Sequence, residues 1–137
     1  MPILFHHEDV KPLKIQRQLL KNWIKSVILS EEKKIGNINY VFCSDEYLLE
    51  VNKQYLDHDY YTDIITFDYV EANVISGDIF VSVDRVKDNA SQFGVSFDVE
   101  LRRILVHGVL HLIGFPDKKP EEKKLMTSKE DQYLAIF

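Results

Sequence analysis

The chain has 137 residues, 45% hydrophobic and 28% charged, the balance of one ordinary globular domain long enough to bury a sizeable core. It contains no apolar run near the ~20 residues that span a bilayer, and its net charge of −5 argues against a general nucleic-acid coat, because phosphate binding draws on clustered Lys and Arg. The single cysteine, Cys43, excludes an internal disulfide; with an opening segment that lacks a signal peptide's basic and long apolar regions, it predicts a cytoplasmic protein with no membrane or disulfide-linked partner.

Ile3, Leu4 and Phe5 read as a short opening strand. After Pro12, the spacing of Leu20, Trp23, Ile24 and Val27 predicts an amphipathic helix of about four turns, closed by Gly36. Ile38, Tyr40 and Phe42 alternate with polar or smaller residues, which predicts a strand. Ser44, Asp45 and Glu46 carry the signals of a helix start, and Leu48, Val51 and Tyr55 form its stripe. The polar segment 57–59 makes a loop. Two β-rich runs follow, 63–69 and 77–83, and the short link around Glu71 and Asn73 predicts an antiparallel pair. A third helix begins at Asp84, carries Val86, Ala90 and Phe93, and is closed by Gly94. A histidine-bearing helix starts near Asp98. Pro120, Glu121 and Glu122 then open a terminal helix with Leu125, Tyr133 and Leu134 on its stripe. No repeat or linker divides the chain, so the expectation is one α+β domain over residues 1–137: a mixed four-stranded sheet packed with about five helices, with the histidine helix at its centre.

The chemistry concentrates in the segment 107–117. Residues four apart lie on one helix face, so His107 and His111 point the same way. Gly114 suits a helix C-cap, and beyond the break Asp117 offers an oxygen ligand. Three protein ligands on one zinc ion leave a position for water, the mark of a catalytic site. The surrounding residues Ile104, Leu105, Val106, Val109, Leu110, Leu112 and Ile113 are apolar all round, which predicts a buried helix. Two imidazoles there need partners, since an unsatisfied buried polar group costs ~1–3 kcal/mol. Gly108 stands where zinc proteases of this histidine spacing carry their glutamate base. A helical glycine costs ~1 kcal/mol relative to alanine, so close packing of another element is expected there. Arg102 and Arg103 precede His107 by about a turn, and Lys118, Lys119, Lys123 and Lys124 follow Asp117. Arg102, Arg103, Lys118 and Lys119 are therefore candidate contacts to an anionic substrate, although such runs are usually solvated helix faces.

With these residues in view, the chain resembles the YbeY (UPF0054) family of bacterial ribosomal-RNA maturation proteins. The likeness covers most of the chain and rests on ordered segments: 51–55 (Val-Asn-Lys-Gln-Tyr), 62–67 (Thr-Asp-Ile-Ile-Thr-Phe), 77–79 (Gly-Asp-Ile) and, most specifically, 107–114 (His-Gly-Val-Leu-His-Leu-Ile-Gly). Two positions depart. The family's third metal ligand is a histidine where this chain has Asp117, and the family's arginine after the tyrosine is here Leu56. Carboxylate oxygen is an ordinary zinc ligand. The resemblance implies a single-strand-specific, metal-dependent endoribonuclease that uses one zinc ion in rRNA processing and ribosome biogenesis, with ribosomal RNA and the small ribosomal subunit as partners. A metal can polarise a phosphoryl oxygen and acidify a water, while the nucleophile, that water or the substrate's 2′-hydroxyl, stays open. Asp63 and Asp78 are candidate acid–base or orienting carboxylates. Two other readings compete. A non-catalytic ribosome-associated factor with a structural metal has Leu56 in its favour, and a hydrolase of peptides or small molecules has Gly108 against it.

Overall fold

Alternating burial builds the sheet. The computed structural model describes residues 2–137, which leaves Met1, the head of the segment read as lacking a signal, outside the described residues. Strands β1 (Ile3–His7), β2 (Lys34–Cys43), β3 (Ile64–Asp68) and β4 (Val74–Ser82) lie in the order β1-β2-β4-β3. β1 and β4 run parallel to β2, and β3 is antiparallel to β4, so the sheet is mixed and its one antiparallel pair is the one the sequence predicts. Five helices complete the α+β domain: α1 (Arg17–Ser30), α2 (Asp45–Leu56), α3 (Val83–Phe93), α4 (Phe97–Ile113) and α5 (Pro120–Leu134). Among the described residues no helix is long and apolar enough to cross a membrane.

The helix starts follow the capping chemistry of serine. The hydroxyls of Ser44, Ser82 and Ser96 accept from the backbone N–H groups of Tyr47, Arg85 and Val99 at the heads of α2, α3 and α4, satisfying donors that a helix N-terminus leaves open. Ser82 ends β4 and caps α3 at once, so strand passes to helix without a loop and α3 starts one residue before Asp84.

Helix α4 is the hub, touching α1, α3, α5, β3 and β4. Its Leu101, Ile104, Leu105, Val106, Val109, Leu110 and Leu112 are buried. At about 1.5–3 kcal/mol for each large side chain, that burial outweighs the ~1 kcal/mol that Gly108 costs the helix. Gly108 sits where α4 crosses the sheet: a Cβ there would stand 2.9 Å from Ile79 Cγ2 and 3.0 Å from Ile64 Cδ1. Close packing therefore accounts for the glycine. Tyr40, fully buried on β2, donates its hydroxyl to the Leu105 carbonyl at 2.8 Å, and the Trp23 indole of α1 donates to the Tyr133 carbonyl of α5 at 2.8 Å.

Three details differ from the expected pattern. Gly36 does not close α1, which ends at Ser30; it lies inside β2 at a register shift, where a Cβ would strike Ser76 Oγ and the Ile75 carbonyl. Leu125 is exposed, and the inward stripe of α5 is Met126, Glu130 and Tyr133. Tyr55 and Phe93 are also exposed rather than in the core.

Candidate metal centre

One turn of α4 and the loop after it bring three donors together. His107 Nε2 and His111 Nε2 each lie 3.3 Å from Asp117 Oδ2, and donor atoms of all three residues fall within 4.8 Å of one another. Atoms bound at ~2.0–2.1 Å to one tetrahedral ion stand ~3.3 Å apart, so this donor set fits a zinc-sized cation. The imidazole planes are nearly perpendicular, at 86°, which lets both Nε2 atoms converge although the histidines share one helix face. Gly114, at φ 121°, makes the turn possible, because that backbone conformation is strained for any residue with a Cβ. The chain then reverses through Phe115 and Pro116 to bring Asp117 back over the histidines.

The sequence reading does not include the residue that fixes the geometry. Glu130 of α5 is buried, and its Oε2 lies 2.5 Å from His107 Nδ1. A proton on Nδ1 donated to this carboxylate leaves Nε2 with its lone pair for a metal, the arrangement that sets tautomer and ring orientation in histidine metal sites. Glu130 Oε1 accepts from Arg103 Nη1 at 2.9 Å, and Arg103 Nη2 donates to Asp131 at 2.9 Å. Arg103 thus clamps the carboxylate that orients the histidine. A signal for Glu130 exists in the sequence: an acid stands between Met126 and Tyr133 on the inward stripe of α5.

The two histidines differ in electrostatics. Burial pulls the His107 pKa down, but the hydrogen bond and charge of Glu130, aided by Asp117 and Asp63, outweigh it and hold the pKa above the ordinary value. Burial and the neighbouring charge of His107 push His111 below it. Burial, opposed by the charge of His107, raises the Asp63 carboxyl.

Asp63, His107, Asp117, Glu100, Arg103 and Lys123 line one cavity of about 340 Å³, with Asn89 and Phe93 of α3 on its far wall. Glu100 is buried there, which raises its pKa. Asp78 lies elsewhere. Gly77 and Ile79 face Leu112 and Gly108 of α4, so Asp78 between them points to the opposite side of the sheet. Of the candidate cations, Arg103 lines this cavity and Arg102 does not: its guanidinium lies 4.3 Å from the centre of the Phe137 ring, in a separate hollow with Lys14 and Asp98. Lys118 and Lys119 are exposed directly after Asp117, their backbone N–H groups held by the Glu122 carboxylate at 3.1 and 2.9 Å. Leu56, the last residue of α2, is partly exposed. Cys43 is free and buried, its thiol pushed up to about 12 chiefly by burial, which keeps it an inert core residue.

Comparison with known proteins meets this geometry from a second side. The family model described as Endoribonuclease YbeY matches residues 5–137. An Endoribonuclease YbeY of Parabacteroides distasonis is 51% identical over 137 residues, covering 100% of this chain and 96% of its own length. That of Flavobacterium johnsoniae is 57% identical over 120 residues, covering 88% and 86%. A solution structure from Thermotoga maritima shares the fold at a TM-score of 0.68 and 27% identity, covering 97% of this chain and 87% of its own. A match along nearly the whole chain, with two histidines and a carboxylate converging at the end of α4, leaves one assignment: the chain belongs to the YbeY family of endoribonucleases, hydrolases that act on RNA.

Proposed function

We propose that this protein is a single-strand-specific endoribonuclease that depends on one zinc ion held by His107, His111 and Asp117, and that it acts in the cytoplasm in ribosomal-RNA processing and maturation of the small ribosomal subunit. The observation that carries the reading is the convergence of three donors within 4.8 Å, one of them oriented by a buried glutamate, in a chain of an RNA-cleaving family. When bound, the ion would supply charge stabilisation at a phosphoryl oxygen and a lowered pKa for water. The chain's own groups do the rest. Glu130 holds the His107 ring in place. Asp63, one of the carboxylates lining the cavity, is positioned to take or return a proton there. Lys118 and Lys119, exposed beside Asp117, would supply positive charge where a phosphate backbone docks; Arg103, whose guanidinium is already paired with Glu130 and Asp131, would contribute from the cavity wall, and Arg102 from the adjoining flank of α4.

The test is cleavage of single- and double-stranded RNA by the purified chain, with chelator and with zinc restored. Single strands should be cut only when metal is present, and His107→Ala with His111→Ala should abolish both metal content and cleavage. Asp117→His should retain metal while Asp117→Ala weakens it. Cleavage that ignores the chelator, or a double histidine variant that keeps its metal, overturns the reading. Metal retention without cleavage of any RNA would favour the alternative that Leu56 suggests, a ribosome-associated factor with a structural metal.

A further inference from the structure

The face of the sheet turned away from α4 carries a second hollow. It measures about 310 Å³ and is lined by Tyr47, Val51 and Tyr55 of α2 with Phe67, Tyr69, Asp78 and Phe80 of the β3–β4 hairpin. Three of the rings are in contact: Tyr55 meets Phe67 edge-on at 5.9 Å, and Phe67 meets Phe80 edge-on at 5.7 Å. Two of the lining rings stand open to solvent, Tyr55 at 68% and Tyr69 at 58% exposure. No other segment of the described chain covers them.

The polar group in this hollow is set in advance. His6 Nε2 lies 2.9 Å from Asn39 Oδ1, and Asn39 Nδ2 donates to Asp78 Oδ1 at 3.1 Å. This ladder across β1, β2 and β4 fixes the carboxylate and leaves Asp78 Oδ2 without a hydrogen-bond partner among the described residues. None of the lining residues is basic, so the hollow repels a phosphate and favours a neutral ring that donates hydrogen bonds. Aromatic surfaces on sheets stack the unpaired bases of single-stranded RNA. Among the bases, guanine presents two adjacent N–H donors, N1–H and the 2-amino group, on one edge, the pair that a carboxylate accepts side by side.

The position also suits an RNA strand. β3 is an edge strand. Asp63, immediately before it, lines the metal cavity, and Phe67 in it lines the aromatic hollow. At ~3.3 Å per residue, these points lie about 13 Å apart along the edge, a span that a few nucleotides cover.

We infer that the hollow between α2 and the β3–β4 hairpin binds an unpaired guanine base of the RNA substrate, stacked on the exposed tyrosines with its donor edge on Asp78. The inference rests on the RNA substrate of the proposed function, but its test does not use cleavage. Resonances of the full chain are followed by NMR during titration with guanosine, inosine, which lacks the 2-amino group, and adenosine. Guanosine should perturb Tyr55, Phe67, Tyr69 and Asp78, inosine should bind about tenfold more weakly through loss of one charge-assisted hydrogen bond, and adenosine more weakly still. Asp78→Asn should erase the preference for guanosine. Tyr69→Ala, at an exposed position that leaves the fold intact, should weaken all three nucleosides together. Equal binding of the three, perturbations confined to the His107 cavity, or an unchanged preference in Asp78→Asn overturns the inference. So does the absence of any perturbation, which would hand the rings to a protein segment. Guanosine binding without RNA cleavage would leave the hollow standing and remove the proposed function; cleavage without guanosine binding would do the reverse.

Discussion

The two faces of one sheet are built to different ends. Under α4, Ile79 and Val81 of β4 are fully buried, and the helix comes so close that a Cβ at 108 would crowd Ile79 and Ile64. On the reverse, Asp78 and Phe80 of the same strand are half-buried beneath α2, beside rings that solvent reaches. The candidate metal donors lie on α4 and in the loop just after it, and packing from five neighbouring elements leaves α4 one position. A constellation that must hold donor atoms to fractions of an ångström belongs on such an element. The second face has a smaller core, Cys43, Leu48, Val51 and Ile65 under α2, and beyond it an open rim with a pre-set carboxylate.

The widest contrast should come from neighbours on β4. Ile79→Ala empties a close-packed site and should cost about 2–5 kcal/mol, while Phe80→Ala, already part-exposed, should cost less than half as much in urea denaturation. Equal losses would dissolve the distinction between the faces. Next comes the orienting carboxylate. Glu130→Gln should lower zinc affinity about 10–100-fold, read by calorimetric titration, because the amide holds the His107 ring less firmly and leaves Arg103 with one partner fewer. An unchanged affinity would mean that α4 alone sets the ring. Gly108→Ala probes the crossing itself. Overpacking against the branched side chains of Ile79 and Ile64 costs ~1–3 kcal/mol, and the gain in helix propensity returns about 1 kcal/mol, so a net loss near 1 kcal/mol is expected. A stabilised variant would show that the two faces are equally yielding.

The smallest effect concerns Glu31, the residue that caps the end of α1 and meets Lys129 and Tyr133 of α5. Burial alone would raise the Glu31 pKa, but the Tyr133 hydroxyl and Lys129, whose ammonium lies 2.9 Å away, outweigh it and hold the pKa below its ordinary 4.5. The stability this provides is complete above the unfolded-state value and is lost as pH falls through the lower folded-state one. Glu31→Gln should therefore flatten the acid limb of a stability profile between about pH 5 and pH 2 and leave the metal site's donors in place. A full acid limb in the variant would assign that loss to other carboxylates.

How much of this was legible in the sequence depended on the distance between partners. His107, His111 and Asp117 lie within one helix turn and one loop, so periodicity and a capping glycine disclosed them. Glu130 meets His107 from another helix, and only its place among the inward residues of α5 hinted at that role. The two candidate aspartates separated for the same reason. Strand alternation puts Asp78 opposite the core-facing Ile79, whereas the direction of Asp63 is decided by the loop that delivers it. Gly36 read as a helix stop because glycine usually punctuates; what requires it is Ser76 on a neighbouring strand, which no local pattern reveals.

Trp23 turns one of these packing contacts into an optical gauge. It is the chain's single tryptophan, buried on α1, with its indole N–H committed to the Tyr133 carbonyl three residues after Glu130. Any event that lifts the Tyr133 end of α5 from α1 exposes this indole to water and shifts its emission to the red. The fluorescence of this one side chain therefore reports, in real time and without a label, whether α5, the helix that carries Glu130, is docked on α1.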